Sequence, residues 1–139
     1  MRVFLDANVL FSASRPGSVT RLLFDAAVEY SESCVTNRHA LEEARRNIEA
    51  KRPAWISGLE FVRRHSSLSA AFQRNLSLDL PPEDIPIAAG AVGSHCSHLW
   101  TGDRRHFGAF FGHAIHDVRV VSHTMLADIL CTMGWRPNV

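Results

Sequence analysis

The sequence predicts an α/β fold with a parallel, helix-covered sheet. Short apolar runs typical of buried strands alternate along the chain with segments whose apolar residues recur at helical spacing. A strand that is followed by a helix usually returns to a parallel neighbour, so this alternation is typical of a sheet with helices packed on it. Neither an internal repeat nor a composition break interrupts the 139 residues, and we expect a single domain over 1–139.

The first half of the chain predicts two strands and two long helices. Residues 2–5 form the first strand, and a loop around Arg15-Pro16-Gly17 separates it from a helix that Ser18 caps. Residues 34–36 form the second strand, and Asn37 caps a helix that extends to about Arg52. We expect the core-facing residues of these helices to be Val19, Leu22, Leu23, Ala26, Ala27 and Tyr30 in the first and Leu41, Ala44 and Ile48 in the second.

The middle of the chain is less regular. Pro53 ends the preceding helix and opens the next one. Leu76-Ser77-Leu78 alternates like a short strand. Residues 87–92 predict a helix of small residues, which tolerates Pro86 only if that proline lies in its first turn.

The last third of the chain predicts two more strands and a final helix. The strands are expected at 98–101 and 119–121, and Ser122 caps the helix. The apolar face of that helix is expected to contain Met125, Leu126, Ile129 and Met133.

The composition is that of an ordinary globular protein, with 46% apolar and 21% charged residues. No apolar run approaches the ~20 residues of a membrane span, and no basic leader precedes one, so we expect a cytoplasmic protein without a membrane partner. The net charge of +1 does not by itself indicate a nucleic-acid-binding protein, although all but one of the basic residues are arginines, which suit phosphate contacts. Three widely spaced cysteines predict reduced thiols.

Carboxylates follow the predicted strands and helix starts. Asp6 comes directly after the first strand, and Asp103 comes after Thr101-Gly102 at the end of another. The carboxyl ends of parallel strands meet at one edge of the sheet, so these side chains are expected to lie close together. Glu43 (or Glu42) lies near the start of the helix that Asn37 caps, and Asp84 lies just before the helix of small residues. Converging carboxylates repel each other unless a cation such as Mg²⁺ or Mn²⁺ lies between them.

Four segments that contain these acids together resemble the PIN domain family, including its VapC-like toxins. They are Leu5-Asp6-Ala7-Asn8-Val9-Leu10, Ala40-Leu41-Glu42-Glu43-Ala44-Arg45, Glu83-Asp84-Ile85-Pro86-Ile87-Ala88-Ala89 and Thr101-Gly102-Asp103-Arg104-Arg105-His106-Phe107. Their order and spacing match over nearly the whole chain, although each motif alone is weak. The resemblance implies a three-layer α/β/α sandwich and a metal-dependent ribonuclease, which is often dimeric and often the toxin of a toxin–antitoxin pair.

The resemblance also implies roles for individual residues. Asp6, Glu43, Asp84 and Asp103 are the expected metal-binding and catalytic acids, and Asn8 and Thr101 are expected to support them. The family favours Glu43, whereas helical geometry alone leaves Glu42 open. The candidates for contacts with RNA phosphates are Arg45, Arg46, Arg104 and Arg105.

The chain departs from the family pattern after Asp103. Many relatives place a further acid there, whereas this chain has Arg104, Arg105 and His106, so a second metal ion is expected to bind weakly. His106 is expected to pack or to touch phosphate rather than to act as a general base. The histidine pairs 95/98 and 113/116 have zinc-like spacings but lack the companion ligands of a zinc motif, which favours surface or loop positions.

The leading hypothesis is therefore a Mg²⁺- or Mn²⁺-dependent endoribonuclease that hydrolyses RNA phosphodiesters, acts as a toxin with an antitoxin partner, and forms a homodimer. The alternative is a catalytically weak PIN-like module that acts through dimerisation or a protein partner. The near-neutral net charge and the absence of a further acid after Asp103 are consistent with this alternative. A phosphatase of the haloacid dehalogenase type is excluded, because it would need acids where this chain has Asn8 and Phe107.

Overall fold

Six strands form one sheet in the computed structural model, which describes residues 1–137. They are β1 (Arg2–Leu5), β2 (Ser33–Thr36), β3 (Ser67–Leu68), β4 (His98–Trp100), β5 (Ala114–Ile115) and β6 (Val118–Val121). Their order is β3-β2-β1-β4-β6-β5. All neighbours pair in parallel except β5 and β6, which are antiparallel. The predicted mainly parallel sheet is confirmed.

Seven α-helices accompany the strands in residues 1–137. They are α1 (Ala7–Ala13), α2 (Val19–Tyr30), α3 (Arg38–Lys51), α4 (Ile56–Arg64), α5 (Ile85–Gly93), α6 (Arg104–Phe107) and α7 (His123–Thr132). Helix α1 packs on α2, α3 and α4, while α5 packs on β2 and β4. The arrangement is the three-layer α/β/α sandwich that was expected.

Hydrogen-bonding side chains begin the long helices where the sequence predicts them. The Ser18 hydroxyl accepts a hydrogen bond from the Arg21 amide, and the Asn37 side-chain oxygen accepts one from the Ala40 amide. Ser122 caps α7 in the same way. Pro86 is the second residue of α5, where its missing N–H costs no intrahelical bond.

Two local predictions were wrong, and one strand was not anticipated. Residues 7–13, expected to be part of a loop, form α1, because Asp6 accepts a hydrogen bond from the Ala7 amide and so starts a helix directly after β1. Residues 76–78 form no strand; the short edge strand next to β2 is Ser67–Leu68. The antiparallel strand β5 was not anticipated, since two residues are too few to produce a readable alternation.

The apolar stripe of α2 was also partly misassigned. Val19 and Leu22 are 71% and 48% exposed, respectively. Phe24, which the predicted stripe omitted, is fully buried, and Thr20 is buried beside it. The burial of a helix face depends on what packs against it, and apolar periodicity alone could not choose between two overlapping stripes. On α7, Met133 is likewise exposed, whereas Leu126 and Leu130 are buried.

The central strands form the hydrophobic core. Trp100 is fully buried, whereas Trp55 is only half-buried and packs on Phe11. Cys34 and Cys96 are buried, which raises the pKa of their thiols to about 12 and about 11. Across residues 1–137, no helix is both long and apolar enough to cross a membrane.

The order of the strands creates a crevice at one edge of the sheet. From β1 the chain proceeds to β2 and β3 on one side and then crosses over to β4 on the other side of β1. Connections that leave adjacent strands in opposite directions open a cleft at the strands' carboxyl ends. Asp6 and Thr101 are the residues that directly follow β1 and β4 at this cleft.

A glycine in α4 permits the close contact between α4 and the end of α1. A Cβ added to Gly58 would lie 1.8 Å from the Ser14 carbonyl oxygen, a backbone atom that cannot move aside. We therefore predict that Gly58→Ala lowers the free energy of unfolding by about 2–4 kcal/mol, although alanine is the better helix former by about 1 kcal/mol. Urea denaturation measures this loss.

The matched control is Gly108→Ala, whose Cβ would meet only the Arg104 Cβ, at 3.9 Å. We expect its stability to stay within about 0.5 kcal/mol of the wild type. Equal stabilities for the two variants would contradict the packing of α4 on α1.

Candidate functional site

A cavity of about 480 Å³ lies at the carboxyl ends of β1 and β4. All four acids singled out from the sequence line it: Asp6, Glu43, Asp84 and Asp103. Asn8 lines it as well, and Thr101 is buried beside Asp6. The structure therefore brings together side chains that are far apart in the sequence.

Asp6 is held by hydrogen bonds to both of its carboxylate oxygens. Its Oδ1 accepts the Ala7 amide at 2.7 Å. Its Oδ2 accepts the Thr101 hydroxyl at 2.8 Å and the Asn8 side-chain amide at 3.1 Å. With only 4% of the residue exposed, the carboxylate has a single orientation at the floor of the cavity.

Thr101 and Asn8 connect Asp6 to the chain that follows β4. The Thr101 hydroxyl accepts hydrogen bonds from the Asn8 side chain at 3.2 Å and the Asp103 amide at 3.1 Å. The Asn8 side-chain oxygen accepts the Gly102 amide at 2.8 Å. Both residues that were expected to support the acids therefore lie in contact with them.

The geometry of α3 favours Glu43 over Glu42. Glu43 is half-buried and lines the cavity. Glu42 is exposed, and its carboxylate lies 3.4 Å from Arg38 Nε on the same helix. The buried face of α3 contains Ala40, Ala44 and Ile48, and this rotation of the helix places Glu43 at the cavity.

The carboxylates of Asp103 and Asp84 both lie close to the imidazole ring of His106. Asp103 caps α6, and its Oδ1 accepts the amides of Arg105 and His106, each at 3.1 Å. His106 Nδ1 lies 3.1 Å from Asp103 Oδ2 and 2.7 Å from Asp84 Oδ2. The sequence did not predict this contact, and the only available signal was the three-residue separation of His106 from Asp103 at the start of a helix.

Asp84 ends a 3₁₀ turn, Pro82–Asp84, that is fixed against α3. The Asn37 side-chain amide donates to the Pro86 carbonyl at 3.2 Å, and a ring nitrogen of His39 lies 3.1 Å from the Glu83 carbonyl. Asp84 is 8% exposed, and its buried Oδ2 has no hydrogen-bond donor among the described residues, since its contact with His106 lacks hydrogen-bonding geometry. The hydrogen-bonding capacity of that oxygen is therefore unused.

The concentration of buried carboxylates raises their proton affinity. Burial raises the pKa of Asp6 to about 6; the charges of Asp84 and Glu43 add to the rise, and the hydrogen bonds from Thr101 and Ala7 oppose it. Burial also raises the pKa of Asp84, with His106 opposing the rise and the neighbouring acids adding to it. The cavity thus favours positive charge.

The donor set fits a hard divalent cation. Oxygen atoms of several carboxylates are the ligands that Mg²⁺ and Mn²⁺ prefer, and one of them, Asp84 Oδ2, is buried without a donor. Ligand atoms of Glu83, Asp84 and His106 also lie within 4.8 Å of one another. These residues could therefore hold such an ion.

The predicted phosphate-binding arginines lie outside the cavity lining. Arg45 lies 3.1 Å from Glu60 of α4, and Arg46, Arg104 and Arg105 are exposed. The basic residue that does line the cavity is Lys51, together with Asn47. Neither residue was predicted from the sequence. Asn47 and Lys51 follow Glu43 by four and eight residues, however, and this spacing places them on the same face of α3.

His123 is a further cavity residue that sequence reasoning missed. Its Nδ1 accepts a hydrogen bond from the Trp100 indole N–H at 2.7 Å. Burial and the charge of Arg104 lower its pKa, which favours the neutral form of the ring. Its position directly after Ser122, at the end of the strand beside β4, was the available signal.

Comparisons with known proteins support the fold. No family model matches the chain, and no curated protein matches its sequence. The structure is similar to a chain in the crystal structure of VapBC2 from Rickettsia felis bound to a DNA fragment from their promoter, with a TM-score of 0.65 and 16% sequence identity. The match covers 88% of this chain and 98% of that chain. At this identity the likeness shows the fold alone, which is the PIN-like α/β/α architecture.

The raised pKa of Asp6 predicts a pH-dependent gain in stability for Asp6→Asn. The pKa is about 6 in the folded protein against an ordinary 3.8, so the ionised carboxylate destabilises the metal-free folded state above pH 6, and this penalty fades below about pH 4. We expect Asp6→Asn in EDTA to be about 1–3 kcal/mol more stable than the wild type at pH 8 and to lose that advantage at low pH. Guanidinium unfolding across this pH range measures the difference.

The control for this prediction is Asp25→Asn. Asp25 is exposed and pairs with Arg21 on α2, so its replacement should produce no gain above pH 6. Parallel stability curves for wild type and Asp6→Asn would show that Asp6 has no unusual proton affinity.

Proposed function

We propose that the protein is a Mg²⁺- or Mn²⁺-dependent endoribonuclease of the PIN type and the toxin component of a toxin–antitoxin pair. The observation that carries this proposal is the convergence of Asp6, Glu43, Asp84 and Asp103 on one cavity at the carboxyl ends of β1 and β4. Four acids from separate segments have no structural need to meet at a cleft, because unpaired carboxylates at close range destabilise the fold.

In this proposal, Asp6, Asp84 and Asp103 hold the metal ion, and Glu43 completes its surroundings. When bound, Mg²⁺ or Mn²⁺ supplies Lewis-acid assistance for the attack of water on an RNA phosphodiester. Thr101 and Asn8 keep Asp6 in one orientation, and the backbone amides of Arg105 and His106 do the same for Asp103. The acids are thus positioned before substrate arrives, which avoids reorganisation during the reaction.

Basic residues around the cleft would hold the RNA backbone. Lys51 lies at the cavity, where its ammonium group suits a phosphate close to the reacting one. Arg104 and Arg105 are exposed beside Asp103 and suit phosphates farther along the strand, as does Arg46 on α3. Arg45 has a structural partner in Glu60, so we expect it to contribute least.

The toxin role is supported by the fold likeness to a chain of the VapBC2 complex. By analogy, an antitoxin would bind this chain and cover the acidic cavity, with a basic side chain as the natural complement to its carboxylates. A homodimer in the cytoplasm is part of the same proposal, and the exposed Val19 and Leu22 of α2 provide apolar surface for contact between copies.

The test compares metal binding and RNA cleavage in variants of adjacent glutamates. We expect the wild type to bind Mn²⁺ in calorimetry and to cleave RNA only with added metal. Glu43→Gln should weaken both by about 10-fold or more, and Asp6→Asn should reduce cleavage by about 100-fold or more, because each removes a carboxylate from the cavity. Glu42→Gln is the matched control and should behave as the wild type.

Two results would contradict the proposal. Cleavage that survives Asp6→Asn with an unchanged metal requirement would place the activity elsewhere. A folded wild-type protein without affinity for Mn²⁺ or Mg²⁺ would instead favour the non-catalytic interaction module.

A further inference from the structure

The ring of His106 lies among the carboxylates of the cavity. Its Nδ1 is 2.7 Å from Asp84 Oδ2 and 3.1 Å from Asp103 Oδ2. The position is set by the backbone, since the Asp103 carboxylate accepts the His106 amide and so fixes the first turn of α6. The N-cap hydrogen bond of Asp103 therefore positions both the Asp103 carboxylate and the imidazole of His106.

The contact leaves a buried oxygen without a hydrogen bond. Asp84 is 92% buried, and within residues 1–137 no group donates a hydrogen bond to its Oδ2 with acceptable geometry. A protonated ring that served only as a donor to Asp84 would be expected to align its N–H with that oxygen. The nitrogen instead lies 2.7 Å from the oxygen without that alignment.

The distance from His106 Nδ1 to each of the two carboxylate oxygens suits a pair of adjacent ligands of a metal ion. Neighbouring ligands in an octahedral shell with bonds of about 2.1–2.2 Å are separated by about 3.0 Å. The distances from His106 Nδ1 to the two carboxylate oxygens, 2.7 and 3.1 Å, fall around that value. Glu83 extends the group, because its ligand atom lies within 4.8 Å of those of Asp84 and His106.

We infer that His106 is a nitrogen ligand of the metal centre, beside Asp84 and Asp103, and that it makes the centre prefer Mn²⁺ to Mg²⁺. Imidazole is a better ligand for transition-metal ions than for Mg²⁺, which binds oxygen ligands almost exclusively. This inference rests on the proposed function, and it assigns to His106 a role in metal choice rather than in phosphate contact.

Binding isotherms for both ions test the metal preference. The variant His106→Asn places a carbonyl oxygen near the position of Nδ1 and so replaces the nitrogen donor with an oxygen donor. We expect the ratio of the Mg²⁺ to the Mn²⁺ dissociation constant to fall by about 10-fold or more in His106→Asn, through weaker Mn²⁺ binding. His113→Asn, at an exposed position, is the control and should keep the wild-type ratio.

A spectroscopic measurement tests the ligand itself and does not depend on the folding of a variant. Electron spin-echo modulation of Mn²⁺ bound to the wild type should show a directly coordinated ¹⁴N nucleus, which becomes ¹⁵N when the protein carries ¹⁵N-labelled histidine. The signal should persist in His113→Asn and disappear in His106→Asn.

Several outcomes would overturn the inference. If the nitrogen signal is absent from Mn²⁺-loaded wild type, or persists in His106→Asn, His106 is not the ligand. If His106→Asn binds both ions more tightly, the ring is an internal cation that competes with the metal. These results leave the proposed function intact, whereas a wild type that binds neither ion overturns both.

Discussion

The hydroxyl of Thr101 joins the ends of the two central strands, and the geometry of the acidic cavity depends on it. The register of β1 and β4 pairs Leu5 with Trp100, so Asp6 and Thr101 follow the strands side by side. The hydroxyl donates to Asp6 and accepts from Asn8 and from the Asp103 amide, which uses its full hydrogen-bonding capacity. One buried group thereby fixes two strand ends and the start of the loop that carries Asp103.

In both Asp6 and Asp103, the two carboxylate oxygens have different kinds of partner. In Asp6 and in Asp103, Oδ1 accepts backbone amides at the start of the following helix. The Oδ2 of each carboxylate is directed elsewhere, in Asp6 to Thr101 and Asn8 and in Asp103 to His106. A helix cap is therefore also a positioning device: it removes the rotational freedom of the carboxylate and leaves one oxygen facing the cleft.

The ionised carboxylates of the cavity destabilise the metal-free protein. Burial and mutual repulsion raise the pKa of Asp6 and Asp84, so their ionised forms destabilise the fold near neutral pH. Carboxylates with pKa values raised in this way are typical of functional sites. A bound cation would reverse the sign of these interactions, and its affinity would add to the stability of the folded state.

The sequence by itself determined the central strands, the caps Ser18, Asn37 and Ser122, and the acids at the strand ends, because these depend on local patterns of two to four residues. It did not determine which face of α2 is buried, that residues 7–13 form a helix, or that residues 76–78 form no strand, because neighbouring elements decide these points. The choice of Glu43 over Glu42 required the rotation of α3. The contact of His106 with Asp84 joins segments more than twenty residues apart, and only the packing of α5 beside β4 brings them together.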